Sequence, residues 1–511
     1  MIFPRRLGPA RLILLALAGV WIGTAIWHVN KPLPPGTHVA GQLLPVHEES
    51  LQLLTDVTYV SHGEQASRQS IHAATLELVL HAQHFLVLDF FLFNDQGGPA
   101  GPIRYERGLH PVASELAAAL RELRQRQPQL PILVLVDPIN DYYRGTVPAF
   151  LAALAQPGVD IVATNLAPLR DSNPVYSTTW RLLAGWWLKP GGTGGWSNRL
   201  DAAGPDVPLG ALLRIPQFKA NHRKVAITAT VDGALRGIVS SGNPHAASSA
   251  HSNVALRLEG EALRPLLAST LAIAKFSGWD GSIERFFLTA PPGAAVSTTS
   301  AAPTTPIAPT ASPSARAAIV TEGAIREQLL QRLSITGTGD AIDIAMFYLS
   351  DRRVINALLA AARRGAAIRV LLDPNKDAFG FEKSGIPNRQ VAAELMAASD
   401  GKVRLRWFRT HGEQFHTKLT AVHSSDRLWL MLGSANFTRR NLGDYNLEAN
   451  VIVDVPASSR LATEATDWFE MLWTNRSGAT QYSADANVYA EPGAGRYWLY
   501  RFMEASGFST F

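Results

Sequence analysis

Two triplets in this chain place chemistry-bearing side chains at one spacing. His222-x-Lys224 opens "HRKVAITATVDGALRGIVSSGN", and His416-x-Lys418 opens "HTKLTAVHSSDRLWLMLGSAN". Each stretch alternates as a strand does, so residues two apart project from one face. Ser241 and Asn243 close the first stretch, and Ser434 and Asn436 close the second. The asparagine falls 21 residues after His222 and 20 after His416. With 14 His and nine Lys in 511 residues, one such triplet arises by chance in roughly one chain in four. Two of them, each with a trailing Ser-x-Asn, point instead to a duplicated site. Imidazole serves as a nucleophile when neutral and as a general acid when protonated. Lys ammonium, Ser hydroxyl and Asn amide groups supply charge and donors for phosphate oxygens. No carboxylate cluster suggests a metal cage. The set suits phosphoryl or phosphatidyl transfer without a metal or any other cofactor. One histidine attacks phosphorus to give a phosphohistidine. The other protonates the leaving alcohol and then deprotonates the incoming water or alcohol.

The elements that must position these groups also repeat. "LDFFLFND" (88–95) parallels "AMFYLSDR" (345–352), each reading as a buried strand. Helical patterns follow at 112–126 and 354–364, then strands ending in Asp-Pro at 131–138 and 367–374. Strand, helix, strand is a βαβ unit and predicts a mainly parallel sheet under helices. Asp137 and Asp373 read as caps at strand ends. The polar loop 373–390 is a candidate for the substrate mouth. Residues 291–316, almost wholly Pro, Ala, Ser and Thr, read as a linker. The division is a spacer with its apolar helix at 1–41, a first domain at 42–290, the linker at 291–316 and a second domain at 317–511. A chain of this length predicts two cores.

The duplicated His-x-Lys with Gly-Ser-x-Asn resembles the phospholipase D superfamily, and within it bacterial cardiolipin synthase-like members. The likeness extends over nearly all of 80–475. It implies an α/β fold of two tandem phospholipase D-type α/β/α sandwich domains related by a pseudo-twofold axis, with an N-terminal membrane helix. Carried over by position, His222 and His416 are the catalytic pair. Lys224, Lys418, Asn243 and Asn436 bind phosphate, helped by Ser241 and Ser434. The superfamily usually has an Asp five residues after the Lys. Here Ala229 and His423 stand there, with Asp232 and Asp426 three residues on. The first copy reads Ser-Ser-Gly-Asn where the second reads Gly-Ser-Ala-Asn. Glu448, in "GDYNLEANV", is placed to orient a catalytic histidine. His251 aligns with it in the first copy, as an acceptor or as a structural histidine.

Arg5, Arg6 and Arg11 precede an apolar run from Leu12 to Trp27, with no good cleavage site after it. That pattern predicts an uncleaved single-pass anchor in a bacterial inner membrane, with the catalytic domains in the periplasm. The absence of cysteine excludes disulfides, thiolate nucleophiles and Cys-based zinc sites. The net charge of +5 is modest for 511 residues. With few lysines and an anchor, it favours a phospholipid substrate at the membrane surface over nucleic acid. A nuclease of the same superfamily and a non-catalytic binding module are the alternatives. Residues 172–196 hold Trp180, Trp186, Trp187 and Trp196. They form either a helix packed on the core or an interfacial segment, with Arg181 and Lys189 for head groups.

Overall fold

A computed structural model describes residues 8–95, 109–143, 145, 149–192, 194–198, 204–287, 315–378, 381–476, 480–490 and 493–511. Most of the Pro/Ala/Ser/Thr linker expected at 291–316 lies outside the described residues.

Helix α1 (Pro9–Asn30) is built from the apolar run, and none of its residues is buried in the protein. Its 22 residues are long and apolar enough to cross a membrane. The first half then runs β1 (Leu44–Val46), β2 (Gln52–Ser61), β3 (Glu64–Arg68), α2 (Ile71–Leu80), β4 (Gln83–Phe90), α3 (Val112–Arg126), β5 (Ile132–Val136), α4 (Ala149–Leu154), β6 (Val159–Ala163), α5 (Pro174–Leu183), α6 (Leu209–Leu212), β7 (Lys224–Ala229), β8 (Leu235–Ser240), β9 (Asn253–Glu259) and α7 (Arg264–Phe276). The second half runs β10 (Ala315–Thr321), α8 (Gly323–Ile335), β11 (Ala341–Met346), α9 (Arg352–Arg363), β12 (Ala367–Leu372), a small ribbon of β13 (Asp377–Ala378) and β14 (Phe381–Glu382), α10 (Asn388–Ala398), β15 (Val403–Phe408), β16 (Lys418–His423), β17 (Arg427–Gly433), α11 (Arg439–Leu442), β18 (Ala449–Pro456), α12 (Arg460–Thr474), β19 (Ser483–Asp485) and α13 (Ala494–Ser506).

The two large sheets share one strand order. The first reads β3-β2-β9-β8-β7-β4-β5-β6, and the second reads β1-β10-β18-β17-β16-β11-β12-β15-β19. Thus β7 corresponds to β16, β4 to β11 and β9 to β18. The expectation of a mainly parallel sheet is corrected. Only β4-β5-β6 and β11-β12-β15 pair in parallel, while the strands bearing the histidine triplets pair antiparallel on both sides. The reason is local, because β7–β8 and β16–β17 are hairpins and a hairpin can only pair antiparallel.

Helices α2 and α3 cover the outer face of the first sheet, through Leu78, Leu116, Leu120 and Leu123. Helices α8, α9 and α10 cover the second, through Leu329, Leu358 and Leu395. The inner faces meet in one core. Val225, Val239 and Leu256 of the first half pack there with Leu430, Val451 and Val453 of the second, flanked by α7 and α12. The halves are stitched further by β1, which pairs with β10 rather than with the first sheet. A buried ion pair, Arg223 to Glu322 at 2.7 Å, crosses between them. Arg223 also donates to the Thr37 carbonyl, which accepts from Ser269 and Thr321 as well. The segment leaving α1 is thereby fixed to the body.

Candidate active site

Strand β4 ends at Phe90 and β11 at Met346, earlier than the apolar runs suggest. The next residue of each run turns into the site. Phe91 lies 4.8 Å from the His222 ring, and Phe347 lies 5.0 Å from the His416 ring. Each aromatic also sits under a lysine: Lys224 Nζ is 5.1 Å from Phe91, and Lys418 Nζ is 5.3 Å from Phe347.

The residue before each histidine is pinned by an Asp-Pro aspartate. Asp137 accepts from the backbone N–H of Ile139 at 2.7 Å and of Asn221 at 2.6 Å. Asp373 accepts from Asn375 at 2.6 Å and from Phe415 at 2.7 Å. Both aspartates are therefore caps, as their position suggests, and they also set the entry of the chain into each histidine. Burial pushes the Asp137 carboxyl up to about 8, against the pull of those two amide bonds.

The two halves then exchange supports. Asn221 bridges to Leu447 and Ser252 to Phe415, each a parallel contact between halves. The first bridge brings Glu448 to His222, and the second brings Asn253 to His416. His222 Nδ1 lies 2.9 Å from Glu448 Oε1, and His416 Nδ1 lies 3.1 Å from Asn253 Oδ1. A carboxylate only accepts, so Nδ1 of His222 carries the proton. Asn253 donates through Nδ2 to the His251 carbonyl at 3.3 Å, which aims its oxygen at His416. Nδ1 is thus the donor in both rings, and both Nε2 atoms are left as the reactive positions. His222 and His416 line one cavity of about 290 Å³ at the junction of the halves.

The register corrects the expected alignment. Ser241 N–H donates to Val254 O and Ser434 N–H to Ala449 O, so the counterpart of Glu448 is Asn253 and not His251. His251 does line the cavity, 5.9 Å from the His416 ring, with its Nδ1 accepting from Gln414 N–H. Burial pulls it down to about 3, so it stands there neutral. Asn243 and Asn436 line the cavity as expected. Asn243 Oδ1 accepts from Leu92 N–H, which turns its amide donors to the remaining space, and Asn436 Oδ1 meets no donor among the described residues.

Ser241 and Ser434, read as phosphate donors, are fully buried behind the wall. Their hydroxyls brace the supports instead: Ser241 donates to Asn253 and Ser434 to Glu448. Lys224 and Lys418 donate to the carbonyls of His222 and His416 at 2.6 and 2.8 Å, leaving two donors on each ammonium. Asp232 and Asp426 lie in the hairpin turns, at the ends of β7 and β16 away from the histidines. The neighbouring strands β4 and β11 carry further buried carboxylates, Asp89 bonded to Asn221 and Asp343 bonded to His423.

Electrostatics favour neutral rings. Burial pulls His222 down to about 4, although Glu448 pulls it up. Burial and the Lys418 charge pull His416 well below its ordinary value. Burial brings Lys224 down to about 7, and Lys418 falls too, through burial and the Lys224 charge beside it. Lys224 and Lys418 are themselves buried against Phe91 and Phe347, behind the rings that face the cavity, and an anion held at those rings would relieve their crowding. Residues that the sequence reading missed complete the cavity. Asn253 could have been found from its place beside the start of β9. His245, Tyr143, Arg440 and the C-terminal Phe511 carry no local signal and line the cavity through tertiary contact alone. Lys383, from the loop at 373–390, also lines it.

Residues 332–473 match the family described as cardiolipin synthase, phospholipase D-like domain, a span that holds His416, Lys418, Asn436 and Glu448. The second half thus carries a phospholipase D-like domain. Among solved structures, the phosphatidylserine synthase of Haemophilus influenzae Rd KW20 aligns over 95% of this chain and 97% of its own, at 11% identity and TM-score 0.51. That likeness covers both halves and shows a shared fold. Nuc of Salmonella typhimurium, a phospholipase D family member, aligns over 33% of this chain and 97% of its own, at 20% identity and TM-score 0.25. No curated protein matches the sequence. These comparisons support the superfamily of phospholipase D-like phosphodiesterases and phosphatidyltransferases.

Proposed function

We propose that this protein is a membrane-anchored phospholipase D-type enzyme that cleaves or exchanges phosphodiester head groups of phospholipids. The carrying observation is that two histidines from the two halves line one cavity with both Nδ1 atoms held and both Nε2 atoms left to react. His222 Nε2 attacks phosphorus. The bond to the leaving alcohol breaks, and His416, which takes up a proton at Nε2 from solvent when the anionic phosphate enters and offsets the lysine charges, gives that oxygen this proton. Water or a second alcohol then attacks the phosphohistidine, yielding its proton to His416 as the P–N bond breaks. Glu448 supports the choice of His222, because the phosphorylated ring is cationic and a carboxylate at Nδ1 stabilises it. Lys224, Lys418, Asn243 and Asn436 hold the phosphate oxygens.

Membrane attachment is read from α1, with the catalytic body at 42–290 and 317–511 on the periplasmic side of a bacterial inner membrane. Trp186 and Trp187 stay 73% and 57% exposed beside α5, which suits an interfacial role for 172–196 rather than core packing. On α13, Trp498 and Phe502 are exposed as well. Gly507 at its end has φ +73°, and a Cβ there would lie 1.7 Å from the Ser172 carbonyl oxygen, so α13 is held against the start of α5.

The test is turnover by the full chain in liposomes of labelled phosphatidylglycerol, with single-stranded DNA as the competing substrate. Released or exchanged head group is expected, with label trapped on His222 by rapid quench. Label on His416 would reverse the roles, and hydrolysis of DNA alone would replace the lipid reading with a nuclease.

A further inference from the structure

A second cavity, of about 660 Å³, opens where α1 meets α5. His28, Trp180, Arg181, Trp186, Arg214 and Lys219 are on its walls. Its depth in the molecule is set by two contacts. Asp171 N–H donates to the His28 carbonyl at 2.9 Å, and Trp21 Nε1 donates to Thr179 Oγ1 at 3.1 Å. Helix α5 therefore runs back along α1 from its C-terminal end. If α1 spans the bilayer, the cavity lies at the level where the chain leaves it, with Trp27 and Trp186 exposed at its sides.

The charge there is one-sided. Asp171 is fully buried and already engaged by Arg181 at 3.0 Å and Lys219 at 2.7 Å. Lys31 joins the group, its ammonium on the Ala167 carbonyl and its pKa pulled down to about 8 by burial and by Lys219. Arg214 has no ion-pair partner among the described residues, and its buried Nε meets no acceptor. His28 Nδ1 is likewise buried without a partner. No described carboxylate lines the cavity, so no anionic wall group pairs with the ammonium of a zwitterionic head group. A guanidinium at the headgroup level, beside an exposed apolar helix, matches a phosphate that carries acyl chains. Tyr143 and Lys219 also line the catalytic cavity, so the two spaces share a wall.

We propose that this cavity binds the phosphate head group of an anionic glycerophospholipid from the bilayer, at a site separate from the catalytic histidines. The proposal rests on the membrane-anchored reading. A lipid held there has its head group one side-chain layer from the reaction site, where it can serve as the acceptor in an exchange or retain the enzyme on anionic membrane.

The test is calorimetric titration of the full-length chain, inactivated by His222→Ala, in neutral detergent micelles. The probes are dihexanoyl phosphatidylglycerol, dihexanoyl phosphatidylcholine and inorganic phosphate. Phosphatidylglycerol should fill two classes of site. Arg214→Gln should weaken one class by tenfold or more, and Arg214→Lys should keep it. An isotherm unaltered in a folded Arg214→Gln chain would overturn the proposal. So would equal binding of phosphatidylcholine, or inorganic phosphate binding as tightly as the lipid; both are read on the chain with Arg214 intact and do not depend on that variant folding. Binding is scored without turnover, so a failure of the catalytic reading would appear separately, as an active-site-intact chain that binds lipid and does not convert it.

Discussion

At the scale of single residues, the site is symmetric in its rings and lysines and asymmetric in its supports. Glu448 backs His222 with a carboxylate, while Asn253 backs His416 with a neutral amide. A carboxylate stabilises an imidazolium and an amide does not. Glu448→Gln should lower kcat on the order of 10⁴-fold with little effect on KM, the scale seen for loss of an orienting carboxylate. Asn253→Asp should raise the pKa of His416, because it sets a charge against Nδ1, and move the basic limb of the kcat profile to higher pH. A pH–rate profile that does not move in Asn253→Asp would remove His416 from the acid role. Lys224 supplies a second check. Standing at about 7, it is half protonated near neutrality. An anion prefers the protonated form, so sulfate affinity should be steady below pH 6 and fall as pH rises through 7, by up to tenfold per unit for one proton. Titration of sulfate from pH 6 to 9 reads this directly, and a flat affinity would take Lys224 out of the anion site.

At the scale of elements, the strands bearing the histidines are buried on both faces and tied to the opposite half. Arg223 lies between His222 and Lys224 but points away from them, to Glu322 at the start of α8. Both side chains are fully buried, and Arg223 keeps two nitrogens without acceptors among the described residues. Removing one member leaves a buried charge unpaired. Glu322→Ala should therefore destabilise the protein by roughly 3–5 kcal/mol. Chemical denaturation measures it, and a loss below about 1 kcal/mol would mean that water reaches the guanidinium. The same pair holds the chain that leaves α1, so the variant should also loosen the anchor from the body.

At the scale of the whole molecule, one exposed apolar helix, one tryptophan-bearing corner and one cavity mouth stand near each other. The arginines before α1 and the lone Lys31 after it predict that the body is exported. A reporter that fluoresces only in the cytoplasm, fused after residue 40, should stay dark, and a bright fusion would invert the topology. Activity should also survive exhaustive chelation, because the lysines and asparagines supply the donors that a metal would otherwise bring. Loss with EDTA, restored by one specific metal, would sink the site as drawn.

The histidines that meet at the cavity were legible in the sequence because their pattern is local. A period-two strand puts His and Lys on one face, and repetition of that pattern twice marks it as a site. The duplicated order of strands and helices was legible for the same reason, although not the antiparallel pairing that follows from the two hairpins. Which group supports which histidine was not, since the partners lie 226 residues apart for His222 and Glu448 and 163 apart for His416 and Asn253. One register choice in β9 decides between Asn253 and His251, because a shift along a strand changes which side chain faces the site. The serines show the same limit: their type suits phosphate, and only their burial assigns their hydroxyls to Asn253 and Glu448. Composition gave no sign of the cationic cavity beside α1, since its walls come from α1, α5 and the segments after β6 and α6. Chemistry and periodicity are written in neighbouring residues. The pairing of the two halves, and everything that depends on it, is decided only when the inner faces of both sheets close on one core.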